Sequence, residues 1–194
     1  MSKSRTRGHS NQIRIIGGRW RGRKINFSDA EGLRPTADRV RETLFNWLAS
    51  DIIGSRCLDM FAGSGALGFE ALSRGASHCC FVEQNPSVLK RVQDNCRDFN
   101  ATDRCELLLA NANAPLPTKG RFDIVFLDPP FQGSSLEGCL NWLLTSPLIT
   151  AESLIYIETA KSSQWTTTAL DTIKEKHAGD VSFSLSRLRS LDLS

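Results

Sequence analysis

The chain lacks any run of apolar residues near the roughly 18 that a membrane span requires. Its opening residues, MSKSRTRGHSNQ, are basic and polar, and no apolar stretch follows as a secretory signal needs. The cytoplasm is therefore the expected location. No Cys-x-x-Cys pair occurs among Cys57, Cys79, Cys80, Cys96, Cys105 and Cys139, and His9, His78 and His177 are far apart. Buried reduced thiols are expected, rather than disulfides or a metal site. Internal repeats and low-complexity segments are also missing. With 40% hydrophobic and 23% charged residues in 194, the composition is that of one ordinary globular domain with a single sizeable core.

What is present is unevenly charged. Residues 1–41 carry eleven Lys/Arg against three acids, whereas the remainder carries 13 bases against 18 acids. An acidic body behind a basic N-terminal segment suggests a polyanionic partner held at one end. Residues 1–12 alone read as a disordered basic tail. Residues 13–50 read as a small extension, and residues 51–194 as the main domain. In the extension, Ile13–Ile16 and Lys24–Phe27 flank Gly17-Gly18 and read as a β-hairpin displaying Arg14, Arg19, Arg21, Arg23 and Lys24. Arg34-Pro35-Thr36 offers an extended residue and a Thr N-cap. Val40, Leu44, Trp47 and Leu48 then recur at helical spacing, giving an amphipathic helix over 37–50.

From Arg56 onward short apolar strands alternate with helices. Strands are expected at 56–60, 78–83, 104–109, 122–128 and 153–158, and helices at 65–74, 86–99 and 135–145. Asn85-Pro86 supplies an N-cap and first helical residue. Segments 171–177 and 181–187 flank Ala178-Gly179-Asp180 as a closing antiparallel hairpin. The pattern predicts an α/β fold with a doubly wound, mostly parallel sheet.

Leu58-Asp59-Met60-Phe61-Ala62-Gly63-Ser64-Gly65-Ala66-Leu67-Gly68 stands where the first of these strands meets its helix, and Glu83 closes the next strand. Such a turn lets backbone approach a ligand, while the acid holds ribose hydroxyls. Taken alone this equally suggests NAD, and a glycine turn that merely packs helix on sheet is the plain alternative. Asp59 discriminates. A dinucleotide places a pyrophosphate at this turn, where a carboxylate repels it. S-adenosylmethionine instead presents an ammonium group, which a carboxylate attracts. Against that, Asp59 can also turn away and cap a loop.

The apolar run Phe122–Leu127 leads into Asp128-Pro129-Pro130-Phe131. Ligands of open α/β sheets bind beyond the carboxyl ends of the strands, so this segment faces the crevice of Asp59 and Glu83. Two prolines stiffen the turn. Carbonyls and the Asp128 carboxylate give acceptors for both N–H bonds of an aromatic amine, which frees its lone pair for attack on a methyl group. Asp128 then takes a proton, and Phe131 offers a face for a stacked base. By itself an Asp-Pro-Pro segment is more often a stiff loop after a core strand; the glycine turn in the right strand order makes that the minority reading.

DMFAGSG, Glu83 and DPPF together resemble the class I methyltransferases that modify exocyclic amines. Ile13-Arg14-Ile15-Ile16-Gly17-Gly18, Arg34-Pro35-Thr36 and Arg39-Val40-Arg41-Glu42-Thr43-Leu44-Phe45-Asn46 make the chain resemble, over nearly its whole length, the RsmD-type 16S ribosomal RNA guanine-N2 methyltransferases. That resemblance implies a seven-stranded Rossmann-like sheet and the use of S-adenosylmethionine, releasing S-adenosylhomocysteine; a monomer is the default expectation. Its partner would be small-subunit (16S) ribosomal RNA, free or within an assembled particle, methylated on guanine N2. It further implies that Asp59, Phe61, Ala62, Gly63, Ser64 and Gly65 hold the methionine end of the cofactor, with Glu83 on its ribose and Asp128 also among the cofactor-binding residues. Asp128, Pro129, Pro130 and Phe131 would hold the base. Many relatives carry an Asp after the third strand for the adenine amino group; here the stretch is Asn111-Ala112-Asn113-Ala114, with Asn113 the candidate and Asn111 the other choice. Adenine N6 in DNA or a glutamine amide in protein remain alternative acceptors. A nicotinamide-dependent oxidoreductase and a non-enzymatic RNA-binding module are more distant readings.

Overall fold

The computed structural model describes residues 11–27, 37–130, 135–163 and 165–189. Arg34-Pro35-Thr36, Phe131 and most of the basic tail lie outside these residues.

Strands β1 (Asn11–Arg14) and β2 (Lys24–Phe27) pair antiparallel, with a 3-10 turn at Gly18–Trp20 between them. The first strand ends sooner than the apolar run Ile13–Ile16 predicts. The reason is a distant acceptor: the amides of Ile16 and Gly17 both donate to the carboxylate of Glu70, at 2.8 Å each, instead of to a ladder. Helix α1 (Asp38–Trp47) buries Val40, Leu44 and Phe45, as the spacing requires. Its cap position is Ala37, which makes no side-chain bond.

The rest is alternating. In order follow β3 (Arg56–Asp59), α2 (Ala66–Ser73), β4 (His78–Glu83), α3 (Pro86–Asp98), β5 (Cys105–Leu109), β6 (Ile124–Leu127), α4 (Ser135–Leu143), β7 (Leu154–Ala160), β8 (Leu170–Ala178) and β9 (Val181–Leu188). Asn85 caps α3 by accepting the amides of Ser87 and Val88. The sheet has seven strands in the order β5-β4-β3-β6-β7-β9-β8, parallel from β5 to β7, with β9 antiparallel to both its neighbours. The doubly wound sheet with its closing hairpin is thus present. Strand order reverses between β3 and β6, which opens a crevice beyond their carboxyl ends.

Side chains along each strand alternate between two buried layers, as the two-residue period demands. Cys57, Phe81, Phe126, Tyr156 and Phe183 face the layer closed by the hairpin, α1, α2 and α3. Leu58, Val82, Val125, Leu127, Ile155 and Ile157 face the layer closed by α4. Ile13, Ile25, Leu44 and Leu48 belong to the same continuous cluster as Cys57 and Phe69, so extension and sheet share one core. All six cysteines are free thiols, five of them buried.

Candidate active site

Asp59 ends β3 on the layer that α2 covers, and its side chain is buried. Its Oδ2 accepts the amide proton of Gly68 at 3.1 Å. Gly68 lies in the first turn of α2, whose cap residue Gly65 sits in the left-handed region at φ +77° and offers no side chain. The carboxylate therefore satisfies one of the amides that a helix start leaves unpaired. Burial pushes the Asp59 carboxyl up to about 7, against the lowering effect of the Gly68 bond; the charges of Asp128 and Glu83 add to the rise. The glycines are required by contact as well as by dihedral. A Cβ on Gly65 would lie 2.7 Å from the Phe69 ring, and one on Gly68 would lie 2.2 Å from that of Phe81.

Glu83, half-buried at the end of β4, braces the same turn from the side. One oxygen accepts the amide of Gly63 at 3.1 Å, and the other that of Asn85 at 2.8 Å. Ala62 donates its amide to the Val82 carbonyl, and Gly65 to that of Ala62. Phe61 and Gly63 are half-buried, while Ala62, Ser64 and Gly65 are buried. The turn is thus a fixed backbone cradle with carboxylates on two sides.

Asp128 follows β6 directly and is half-buried; Pro129 is buried and Pro130 exposed. The β3–β6 register pairs Asp59 with Phe126, so Asp128 stands just beyond Asp59 at the crevice. On the other flank, β7 presents a residue that no sequence motif marked. Glu158 is buried, and its Oε2 accepts the Tyr156 hydroxyl at 2.7 Å. Burial first, and then the charge of Asp128, push the Glu158 carboxyl up to about 8. The signal available in the sequence was one acid closing the apolar run Leu154–Ile157. Four carboxyl groups thus line the carboxyl edge of adjacent strands, from Glu83 through Asp59 and Asp128 to Glu158.

The candidate adenine-side residues are both exposed on the turn after β5. Asn111 Oδ1 accepts the amide of Asn113 at 2.9 Å, which occupies it within its own loop. The Asn113 side chain packs against Gly138 of α4, where a Cβ would come within 3.1 Å of it. Trp142 of α4 donates to the Ala112 carbonyl at 2.8 Å and anchors this turn.

The basic hairpin is not beside these groups. Arg14, Arg19, Arg21, Arg23 and Lys24 are all exposed. Gly18 packs on the C-terminal end of α2, where an added Cβ would meet the Ser73 carbonyl at 2.0 Å. Trp20 stacks on Phe99 at the end of α3, and Arg23 covers the Phe99 ring and donates to the Asp98 carbonyl. Helix ends in this fold lie where strands begin. The basic turn is therefore separated from the glycine turn by the length of the eight-residue α2, about 12 Å. A cleft of about 410 Å³ lined by Asp51, Ser55, Asp123, Glu152 and Arg187 opens at the strands' amino ends and contains none of the motif residues.

The family described as Conserved hypothetical protein 95 matches residues 13–187. The Ribosomal RNA small subunit methyltransferase D of Escherichia coli (strain K12) is 45% identical over 179 residues, covering 91% of this chain and 90% of the relative. That of Haemophilus influenzae is 42% identical over 190 residues, covering 95% and 98%. The solved structure of the Escherichia coli protein yhhF aligns with TM-score 0.82 and 41% identity, over 92% of this chain and 99% of that one. A Thermus thermophilus 16S rRNA N2 methyltransferase, solved with AdoMet and guanosine, shares the fold at TM-score 0.71 and 18% identity, over 93% of this chain and 50% of that one. By its match over nearly the whole chain, this protein belongs to the Conserved hypothetical protein 95 family, that of the ribosomal RNA small subunit methyltransferases D, and is an rRNA methyltransferase.

Proposed function

We propose that the chain transfers a methyl group from S-adenosylmethionine to the exocyclic N2 amine of a guanine in small-subunit (16S) ribosomal RNA. The observation that carries the reading is the row of carboxyl groups around a glycine cradle, with Asp128-Pro129-Pro130 at its open end. The cradle suits a cationic donor. Asp59 already takes an amide at the start of α2 with its own carboxyl oxygen, so a pyrophosphate would meet another acceptor, and above about pH 7 a negative charge, where a nicotinamide dinucleotide needs donors. The Glu83 carboxylate, held by two amides, faces the side on which a ribose diol would lie.

When bound, S-adenosylmethionine supplies a methyl group on a sulfonium centre. The chain's own residues do the rest. Pro129 and Pro130 fix the turn so that Asp128 presents an acceptor to one N–H of the target amine. As the nitrogen gains the methyl group it becomes acidic, and Asp128 is placed to take the proton. The Haemophilus and Escherichia relatives are ribosomal RNA small subunit methyltransferases, and the Thermus neighbour is an N2 enzyme solved with guanosine. These support the choice of guanine over adenine or a protein amide, and the basic hairpin supports a polyanionic acceptor.

The test is to incubate the protein with methyl-labelled S-adenosylmethionine and small-subunit particles lacking the modification, then digest and identify the labelled nucleoside. Label in N2-methylguanosine is expected. Absence of label in RNA, with cofactor binding confirmed and competent particles, overturns the reading and moves the search to DNA and protein acceptors.

A further inference from the structure

The last paired residues of the β6–β7 ladder are Leu127 and Ile157. Asp128 and Glu158 are therefore the next residues on two parallel strands about 4.8 Å apart. Ile157 points into the α4 layer, so Tyr156 and Glu158 share the opposite face, that of Asp59. Glu158 is only 4% exposed, although it lies at the mouth of the crevice. A buried acid and a buried phenol are costly to retain in a core strand unless they satisfy each other, as these two do. Neither belongs to a segment already given a role.

The geometry points to Glu158 as a positioning residue for methyl transfer: buried at the strand end next to Asp128 and held there by the Tyr156 hydroxyl, its carboxyl group stays uncharged and leaves Asp128 to carry the negative charge that accepts the amine's proton. This inference rests on the proposed reading of the site as an amine methyltransferase. Two carboxyl groups at adjacent strand ends cannot both ionise freely, so at rest the pair holds one proton. Glu158 is the more deeply buried of the two and so the member that carries the proton; burial and the Asp128 charge favour its acid form up to about pH 8, against the Tyr156 bond, which favours the carboxylate. Among the described residues, the charge that acts on Glu158 is that of Asp128. Phe183, opposite on β9, is apolar, and Trp47 of α1 stacks on Phe183. Of the α1 cations, Arg39 is exposed and Arg41 is engaged by Asp38 and Glu70.

In the transfer step the N–C bond forms as the C–S bond breaks, and the C–S electron pair stays on sulfur. The nitrogen then loses one N–H proton; that bond's pair returns to nitrogen, and the proton bonds to Asp128. It leaves to water when the product departs. Above about pH 8 Glu158 ionises, and mutual repulsion displaces the acceptor.

Single-turnover methyl transfer to small-subunit particles, measured from pH 6 to pH 9 with the full chain, tests this. Wild type should slow as pH rises past about 8. Glu158→Gln, whose amide still accepts from Tyr156 but cannot ionise, should slow transfer about two- to threefold at pH 7 and lose the alkaline decline. Glu158→Ala should slow it about tenfold or more at every pH. Affinity for S-adenosylmethionine, measured alongside by calorimetry, should stay within about twofold for both variants, because neither touches the cradle. A Glu158→Gln profile that superimposes on wild type overturns the proposal, since a purely structural carboxyl would leave the pH dependence unmoved. If wild type transfers no label to guanine, the reading of the site fails first and the role of Glu158 falls with it.

Discussion

Arg41 and Glu70, each with a fully buried side chain, face each other at 3.8 Å between α1 and α2. Glu70 gathers more than this one cation. It accepts the amides of Ile16 and Gly17 and the Arg74 guanidinium at 2.7 Å, while Arg41 donates to the Arg14 carbonyl and to Asp38. The carboxylate is the point at which hairpin, α1 and α2 are joined. Among the described residues, Arg41 Nε and Nη1 have no hydrogen-bond partner and depend on this field. Glu70→Ala should therefore destabilise the fold by about 3–5 kcal/mol, the cost of leaving a buried charge uncompensated. Denaturant unfolding of the variant measures it. A loss below about 1 kcal/mol would show that water reaches Arg41 and that the pair is not structural.

Asp59 yields a prediction in pH. Its folded value near 7 lies above the ordinary 3.8, so between those values the folded chain holds a proton that the unfolded chain has released. Its contribution to stability is therefore fully present below about pH 4, falls by roughly 1.4 kcal/mol per unit as pH rises, and levels off above about 7. A cationic ligand reverses the preference, because it favours the carboxylate. S-adenosylmethionine should bind more tightly as pH rises from 5.5 to 7, by up to about tenfold per unit, with proton uptake by the buffer below 7. Asp59→Asn should bind more weakly and without that slope. Calorimetry in two buffers of different ionisation enthalpy reads both; a flat affinity for wild type would mean that the cofactor's cation does not meet Asp59.

Legibility from sequence followed the range of the interactions. The strand–helix alternation, the Asn85 cap and the closing hairpin depend on residues within a few positions, and each is where local pattern puts it. The early end of β1 is not of that kind. Ile16 reads as strand, yet its amide bonds to a carboxylate 54 residues away. The site divides the same way. The glycine turn and Asp128-Pro129-Pro130 announce themselves as motifs, whereas Glu158 becomes significant only when the β6–β7 register places it beside Asp128. Arg23 likewise reads as a free cation for RNA, while in the fold part of its guanidinium is spent on Phe99 and Asp98.

Asp128 itself should separate binding from chemistry. Asp128→Ala removes the acceptor but leaves the cradle formed by Gly63, Gly65, Asp59 and Glu83. Transfer should fall by about 10²-fold or more, in the range of a lost general base, while cofactor affinity changes little. It should rise slightly if anything at low pH, because the Asp128 charge is among those that raise Asp59. Full turnover in this variant would remove Asp128 from the proton's path.

The basic hairpin should act on binding alone. Arg19 and Arg21 are exposed, and they sit at the turn that rests on the ends of α2 and α3, about one α2 length from the glycine cradle. Contacts there can hold an RNA backbone without touching the reacting amine. Replacing both by Gln should raise the KM for particles and lower the salt dependence of RNA binding by about one unit of log–log slope for each phosphate contact removed. Transfer at saturating substrate should be unchanged. Arg23 is kept out of this pair because its removal would also expose Phe99, and, because Arg19 lies over the Trp20 ring, a thermal-unfolding control accompanies the double variant. Filter binding over a salt series, together with saturation kinetics, distinguishes the cases. An unaltered slope would place the RNA elsewhere on the molecule, and a fall in the saturated rate would mean that the hairpin sets the geometry of the target base from the far end of the helix.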